Sequence, residues 1–356
     1  MEERRMENKS NQEPPEELRK IQLTGKSTYI VSLPKKWVVS VNLKPGSQII
    51  VSKQGDTSLL LTPKEFFKPA KLGEASIAVS QKDDPHTIER KIVALYLVGY
   101  SLIRIHTKDE RITALQRNLI KDLTRKKLVG TEIISDSPKE MKLQILLSYP
   151  ELSVESALRR MCLIAVSMHE DTMHALKNLN KELCKDIITL DDEVDRFSLY
   201  TIRQLKAAVQ NERVLRDIGL SSPRDSLGYR VIAKSVERVA DHAVKIAQEI
   251  VLLDSEVGEP SFKRISDLSS FARSVFDDAI KSLFKKDYSL ADSAVSKAKT
   301  IVSMETEALK VISRNVEPTQ LSSIRIIIES IRRTAEYAGD IAEIVLNLNV
   351  NQVTET

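Results

Sequence analysis

Apolar and polar positions change rhythm twice along this chain. Between Leu18 and Pro63 the apolar residues come in short runs: RKIQLTG, STYIVSLP, SQIIVSK and SLLLTP. Turn signals at Thr24-Gly25, Lys44-Pro45-Gly46 and Gln54-Gly55-Asp56 separate them, which predicts short strands around one helical turn at KKWVVSVN. Pro34 stands where that turn begins, its fixed φ suiting a first helical position. Between residues 70 and 150, strand-like ASIAVS, SLIRIHT, TEIIS and KLQILLS alternate with helical patterns over 86–98 and 109–127, the grammar of a small α/β module. From Pro150 onward the pattern is heptad-like, with helices expected at about 152–179, 182–210, 226–253, 261–285, 289–313 and 319–349. The breaks carry Gly219 and Pro223, then Gly258 and Pro260, then Pro318. In the third helix Ile232, Val236, Val239, Ala243, Ile246 and Ile250 step by four and three, the spacing of bundle packing.

Two of these helices are versions of each other, ninety-five residues apart. Arg230 to Ala247 reads RVIAKSVERVADHAVKIA and Arg325 to Ala342 reads RIIIESIRRTAEYAGDIA. Identities include Arg230/Arg325, Ser235/Ser330, Arg238/Arg333, Ala240/Ala335, Ala243/Ala338, Ile246/Ile341 and Ala247/Ala342, and each stretch closes a triplet of helices. A repeat of this period means two copies of one supersecondary unit, here two three-helix bundles.

Composition agrees. Aromatic residues make up 4% of the 356 positions and glycine only 10, as suits a largely helical protein. The net charge of +4 is too small to imply a nucleic-acid partner for the whole chain, so charge has to be read locally. Cys162 and Cys184 stand alone in apolar helical settings, which speaks against a zinc ribbon or a required disulfide. Residues 1–17, charged and carrying Pro14-Pro15, read as a disordered leader without the apolar core of a signal peptide. The longest apolar run, Ile92 to Ile103, is too short to span a bilayer, so no membrane insertion and a cytoplasmic location are expected. No nucleophile–base arrangement stands out, His86 and His106 are isolated, and a non-enzyme is expected.

From Leu18 to Lys53 there are seven Lys/Arg and no Asp or Glu, a face that attracts phosphates. About forty-five residues barely support a core, so oligomerisation is the expected remedy. Arg19-Lys20, Gly25-Lys26-Ser27, Ser32-Leu33-Pro34-Lys35-Lys36-Trp37-Val38, Leu43-Lys44-Pro45-Gly46-Ser47 and Leu59-Leu60-Leu61-Thr62-Pro63 give this segment its likeness. It resembles the SpoVT/AbrB family of swapped-hairpin DNA-binding domains. The resemblance implies an intertwined homodimer or higher oligomer and double-stranded DNA as partner. By position the DNA contacts would be Arg19, Lys20 and Lys26, with Lys35 and Lys36 as further candidates, and Trp37 would be a core anchor.

The helical half resembles the PhoU family of phosphate-uptake regulators. The residues that carry the likeness are Ser235-Val-Glu237-Arg238-Val-Ala-Asp241-His242-Ala243 with Ile246-Ala247, and the second copy ending Glu336-Tyr337-Ala338-Gly339-Asp340-Ile341-Ala342-Glu343. The resemblance implies iron- or zinc-type clusters on Glu/Asp-x-x-x-Asp pairs. In the first repeat the matching residues are Asp191, Asp195, Glu237 and Asp241, with Asp192 and Glu193 as supporting candidates. Residues four apart project from one helix face, and clustered carboxylates need a cation to offset their repulsion. The second repeat departs from the pattern. Arg332 stands where Glu237 would be, and Glu305 and Glu307 on the preceding helix form no pair, so one metal site per chain is expected. His242 is expected at the surface or an interface.

The fold class expected is mainly α with a small β N-terminal domain. An AbrB-like swapped hairpin spans 18–65, a small α/β module 70–150, and two PhoU-like three-helix bundles 151–254 and 260–350. The function expected is a dimeric, DNA-binding regulator of phosphate homeostasis with a metal-binding helical sensor. The alternatives are an adaptor acting on a phosphate ABC transporter or a kinase by protein contact, and a metal-storage or scaffolding bundle.

Overall fold

A computed structural model describes residues 17–25, 27–54, 57–66, 73–146 and 152–354; the leader expected at 1–17 therefore lies, Glu17 apart, outside the described residues. The chain divides into two compact units, Met1–Pro69 and Ala70–Thr356.

The first unit is two antiparallel hairpins. Strands β1 (Gln22–Thr24) and β2 (Thr28–Ile30) pair through a turn in which Gly25 takes φ +67°; β3 (Ile49–Gln54) and β4 (Ser58–Pro63) form the second hairpin. Between them lies helix α1 (Lys35–Ser40), led by Pro34 as expected. Each hairpin is its own two-stranded sheet. Among the described residues of this unit only Pro63 is buried, while Leu23, Tyr29, Val51 and Leu59 are each more than half exposed.

The second unit opens with the α/β module. Strand β5 (Glu74–Val79), helix α2 (Pro85–Val98), strand β6 (Leu102–Thr107), helix α3 (Ala114–Lys126) and strands β7 (Thr131–Ser137) and β8 (Glu140–Ile145) build a sheet of order β5-β6-β8-β7. Only the β5–β6 pair is parallel. Alternation decides which face is dry: Ile77, Val79, Ile103, Ile105, Met141 and Leu143 bury against Ile88, Ile92, Tyr96 and Ile120 of the two helices. Asp84 caps α2 at Thr87 N (3.1 Å) before Pro85, and Gly99 ends it at φ 113°. Helix α3 starts five residues later than the pattern predicts. Asp109 accepts hydrogen bonds from Gln81 N (2.7 Å) and Ser80 Oγ (3.1 Å), which holds it in the loop, and a Thr113/Gln116 capping box fixes the true start.

The helical half contains α4 (Val154–Lys177), α5 (Lys181–Gln210), a short α6 (Glu212–Asp217), α7 (Asp225–Leu252), α8 (Glu259–Lys285), α9 (Tyr288–Ala298), α10 (Ile301–Asn315) and α11 (Leu321–Leu348). The expected fifth long helix is split at Lys299-Thr300, where Thr300 Oγ1 donates to Lys297 O (2.8 Å) and diverts a ladder acceptor. The two triplets share one continuous hydrophobic core from Val154 to Val345.

The repeated helices α7 and α11 lie against each other and run antiparallel. Gly228, near the start of α7, faces Ile344 and Leu348 near the end of α11. The repeat-equivalent rings of His242 and Tyr337 meet with centroids 5.7 Å apart, which places His242 at the inter-repeat interface. Buried His169 on α4 joins both copies, its Nε2 donating to Val239 O (2.8 Å) and lying 3.3 Å from Thr334 Oγ1. Burial pushes its pKa down to about 4, so the ring is neutral at ordinary pH. Helices α4 and α8 cross in the same antiparallel sense, tied by Arg273–Glu170 (2.7 Å) and by Arg159 over the Phe284 ring.

A Cβ at Gly228 would sit 2.9 Å from Ile344 Cγ2. Gly228→Leu should therefore cost about 1–3 kcal/mol by overpacking, despite leucine's better helix propensity. Denaturant unfolding checks this, and a variant as stable as the parent would contradict the close approach.

Candidate functional site

The polar flanks of α5 and α7 meet beside the core stripe. Asp191 and Asp195 lie one turn apart on α5, between core residues Ile187 and Val194 and the next turn; Glu237 and Asp241 do the same on α7 beside Val236 and Val239. The structure brings these four sequence-derived residues together, close enough for each charge to act on the others. Asp191, Asp195 and Glu237 are half-buried and Asp241 sits at the exposed rim. Asp192 and Glu193 point to a neighbouring groove, where Lys126 lies 3.7 Å from Asp192 and Arg196 3.5 Å from Glu193.

The electrostatics of the site are those of carboxylates short of cations. Burial, then the charges of Asp195, Asp241 and Glu237, push Asp191 up to about 7. Burial also raises Glu237, against its hydrogen bond from Lys234, and raises Asp241, against the charge of Lys234 and with that of Asp195. Asp191 Oδ1 is buried and has no hydrogen-bond partner among the described residues. Two lysines supply partial compensation. Lys234 pairs with Glu237 from the preceding turn of α7. Lys127, the C-terminal cap of α3, reaches across from the α/β module to Asp195 Oδ2 at 2.9 Å. Burial works against the charge of Lys127, but the hydrogen bond and charge of Asp195, with Asp192 and Glu89, outweigh it and raise its pKa.

With the lysines so placed, no group of three or more His, Cys, Asp or Glu side chains is arranged to hold a metal ion among the described residues. What the four carboxylates share is charge left uncompensated: Asp191 Oδ1 is buried without a partner among the described residues, and Asp191, Glu237 and Asp241 hold their protons above the usual carboxylate range. The equivalent place in the second repeat is filled from within. Arg332 reaches Glu305 on α10 (3.0 Å) and Glu336 on its own helix, and Arg333 bonds Glu336 at 2.8 Å.

Sequence reasoning missed how the module is mounted on α5. Arg203, buried, donates to the carbonyls of Tyr96, Gly99 (3.2 Å) and Tyr100 (3.0 Å) at the end of α2, and lies over the Tyr96 ring. Those carbonyls lie at the electronegative C-terminal end of a helix, which a guanidinium fork suits. Leu199, one turn earlier, packs on the module's core, and Val129 of the module packs on the helical core. The Asp195, Leu199, Arg203 spacing of four was the available signal, but it does not say what the face meets.

In the N-terminal unit Lys20, Lys35 and Lys36 are exposed, Arg19 is exposed and pairs with Glu17, and Lys26 lies outside the described residues. Trp37 is half-buried on α1.

Fold and site together define a two-repeat helical protein with one carboxylate cluster, joined through an α/β module to a basic β unit. Comparison with known families gives the class its name: residues 158–250 and 265–345 each match the PhoU domain, so the helical half is a pair of PhoU domains. Residues 22–68 match the bacterial antitoxin MazE, described as antidote–toxin recognition, in keeping with the AbrB-type hairpins. The chain is 24% identical over 200 residues to the phosphate-specific transport system accessory protein PhoU homolog of Borreliella burgdorferi, covering 51% of this chain and 85% of that protein. It is 27% identical over 132 residues to the homolog of the same name from Aquifex aeolicus, covering 36% of this chain and 56% of that one. Among solved structures, PhoU from Pseudomonas aeruginosa aligns with a TM-score of 0.49 at 19% identity, over 56% of this chain and 96% of that one. The phosphate transport system regulatory protein PhoU from Streptococcus pneumoniae aligns with 0.47 at 17% identity, over 57% and 96%. No helix among the described residues is long and apolar enough to cross a membrane.

Asp191 ionises near 3.8 when unfolded and near 7 when folded. Between those values the folded chain holds the extra proton, so stability falls as pH rises, and the penalty is complete above the folded value. In chelated protein, Asp191→Asn should melt above the parent at pH above about 7 and match it below about 4. Thermal unfolding at the two ends of the range checks this; equal midpoints at high pH would refute the raised carboxyl.

Proposed function

We propose that the chain is a dimeric, DNA-binding regulator of phosphate uptake whose PhoU half responds to a metal-linked signal. The observation that carries this reading is the N-terminal unit. It holds seven cations and no acid from Leu18 to Lys53, and it leaves Leu23, Tyr29, Val51 and Leu59 exposed on hairpins that make no common sheet. A second copy of the unit gives those apolar residues a partner, and the pair doubles the basic face offered to phosphates. The two matched PhoU domains and the names of the relatives support phosphate transport as the regulated process. The role is regulatory rather than catalytic.

In this reading Asp191, Asp195, Glu237 and Asp241 hold iron or zinc. When bound, the metal supplies the positive charge these carboxylates lack. Asp191 and Asp195 present it from α5, Glu237 and Asp241 from α7, and burial beside the core keeps competing water low. Arg332 does that work in the second repeat, which leaves one metal site per chain.

Duplex binding should be steeply salt-dependent, because every phosphate that a cation neutralises adds about one to the logarithmic salt slope. The variant Arg19→Ala/Lys20→Ala/Lys35→Ala/Lys36→Ala should flatten that slope and weaken binding at every sequence tested. No duplex binding by the parent at low salt would reject the DNA reading and favour an adaptor of a phosphate transporter or kinase. Sedimentation measures the dimer. Elemental analysis of purified protein should find iron or zinc, reduced in Asp195→Ala and in Glu237→Ala; unchanged content in both removes the site.

A further inference from the structure

The helices that open the two triplets leave a groove between them. Along one half of the α4–α8 crossing, from Arg159 and Phe284 to Val166 and Phe276, the groove measures about 500 Å³, the size of a small-molecule site. Buried Cys162 and Phe276 form its floor, and half-buried Val166, Ile280 and Phe284 its walls. Leu163 stands at the lip, 72% exposed. A lone exposed leucine needs no explanation, but one beside an apolar floor gives a ligand more carbon surface to bury. The other half of the crossing is closed from within, where Arg273 bonds Glu170 at 2.7 Å and Lys177 lies over the Phe262 ring.

Charge and length decide what fits the open half. Arg159, Lys281 and Lys285 line it toward the Phe284 end, whereas Asp277, its one acidic lining residue, follows Phe276 at the other. Arg159 is held by Glu155 and the Phe284 ring, while Lys281 and Lys285 have no ion pair among the described residues. One end therefore offers cations and the rest offers carbon, the complement of an anionic head on an apolar tail. Phe276 and Phe284 lie about 12 Å apart along α8, the reach of an extended chain of about ten carbons. A partner helix burying a standard interface would run on into the Arg273–Glu170 bridge. A bilayer calls for protruding apolar groups, and Leu163 is the only one here that is not recessed.

We infer that this groove binds a single-tailed, medium-chain anionic amphiphile, its head on Arg159, Lys281 and Lys285 and its tail over Cys162, Ile280 and Phe276. Because α4 belongs to the first repeat and α8 to the second, the bound molecule ties the repeats together. The site is independent of the carboxylate cluster and of the basic unit, and it gives the helical half a small-molecule input of its own.

Calorimetry of the full chain with decanoate, kept below micelle-forming concentration, tests this. Affinity should rise about threefold per methylene from hexanoate to decanoate, then level off once the tail outgrows the groove. Decanol should bind about tenfold more weakly than decanoate, and decyltrimethylammonium more weakly still. Lys281→Gln/Lys285→Gln should weaken decanoate about three- to tenfold and leave decanol unchanged, whereas Leu163→Gln should weaken both about threefold. The three side chains are exposed, so these variants should fold as the parent does. In hydrogen exchange, decanoate should add protection over residues 159–166 and 276–285. Absence of decanoate binding by the parent overturns the inference. Affinity unchanged in both variants, or still rising well beyond about twelve carbons, shows unspecific uptake and overturns it too. Binding to phosphatidylglycerol vesicles without binding to free decanoate overturns it in favour of a membrane surface.

Discussion

The antiparallel packing of α7 on α11 is the constraint from which the rest of the second unit follows. Two copies of one helix meet here, with Gly228 under Ile344 and Leu348, while Gly339 on the same α11 lets Ala298 of α9 approach closely. Ala240, Ala243, Ala335 and Ala338 are fully buried. Close approach of two backbones leaves no room for large polar groups along the seam, so each helix turns its charged positions outward to a flank. For α7 that flank faces α5, and for α11 it faces α10. The carboxylate cluster and its second-repeat counterpart are thus consequences of how the repeat buries its apolar stripe. His169 completes the seam, neutral because burial forbids its charge, and bonded to both copies at equivalent positions.

The two repeats meet one electrostatic problem and solve it differently. Acids brought to a half-buried helix pair repel, and the charged form is further disfavoured by lost water. In the second repeat Arg332 supplies a permanent cation between Glu305 and Glu336. In the first, Lys234 and Lys127 compensate only in part, and Asp191 remains high with an oxygen lacking a partner. An arginine contributes a charge that nothing in the cell can remove. Lysines on flexible stems compensate less fully, so the first repeat keeps acids whose charge is unmatched.

Much of this was legible in the sequence for a physical reason. Heptad stripes and Gly/Pro breaks register burial directly, so the helices of the second unit were found to within a few residues, and helical spacing put Asp191 with Asp195 and Glu237 with Asp241 on single faces. The departure at Arg332 could be read because the repeat supplied its own comparison. What escaped were long-range polar bonds. Asp109 shortens α3 by capping a loop 28 residues earlier in the chain, and Thr300 breaks a helix through one hydroxyl. Arg203 looks like any charge on a helix flank until its carbonyl partners, more than 100 residues away, are known. Periodicity reports which face is dry and is silent on which distant group a polar side chain will meet.

The mounting of the α/β module on α5 carries the same lesson to function. Asp195, Leu199 and Arg203 present an acid, an apolar contact and a cation at successive turns, and each meets its complement on the module: Lys127, the sheet core, and the end of α2. The apolar and guanidinium contacts are buried and hard to break, whereas the ion pair is half-exposed and weak. Because the weak end is also the point where the carboxylate cluster touches the module, a change of charge in the cluster acts on the part of the joint least able to resist it.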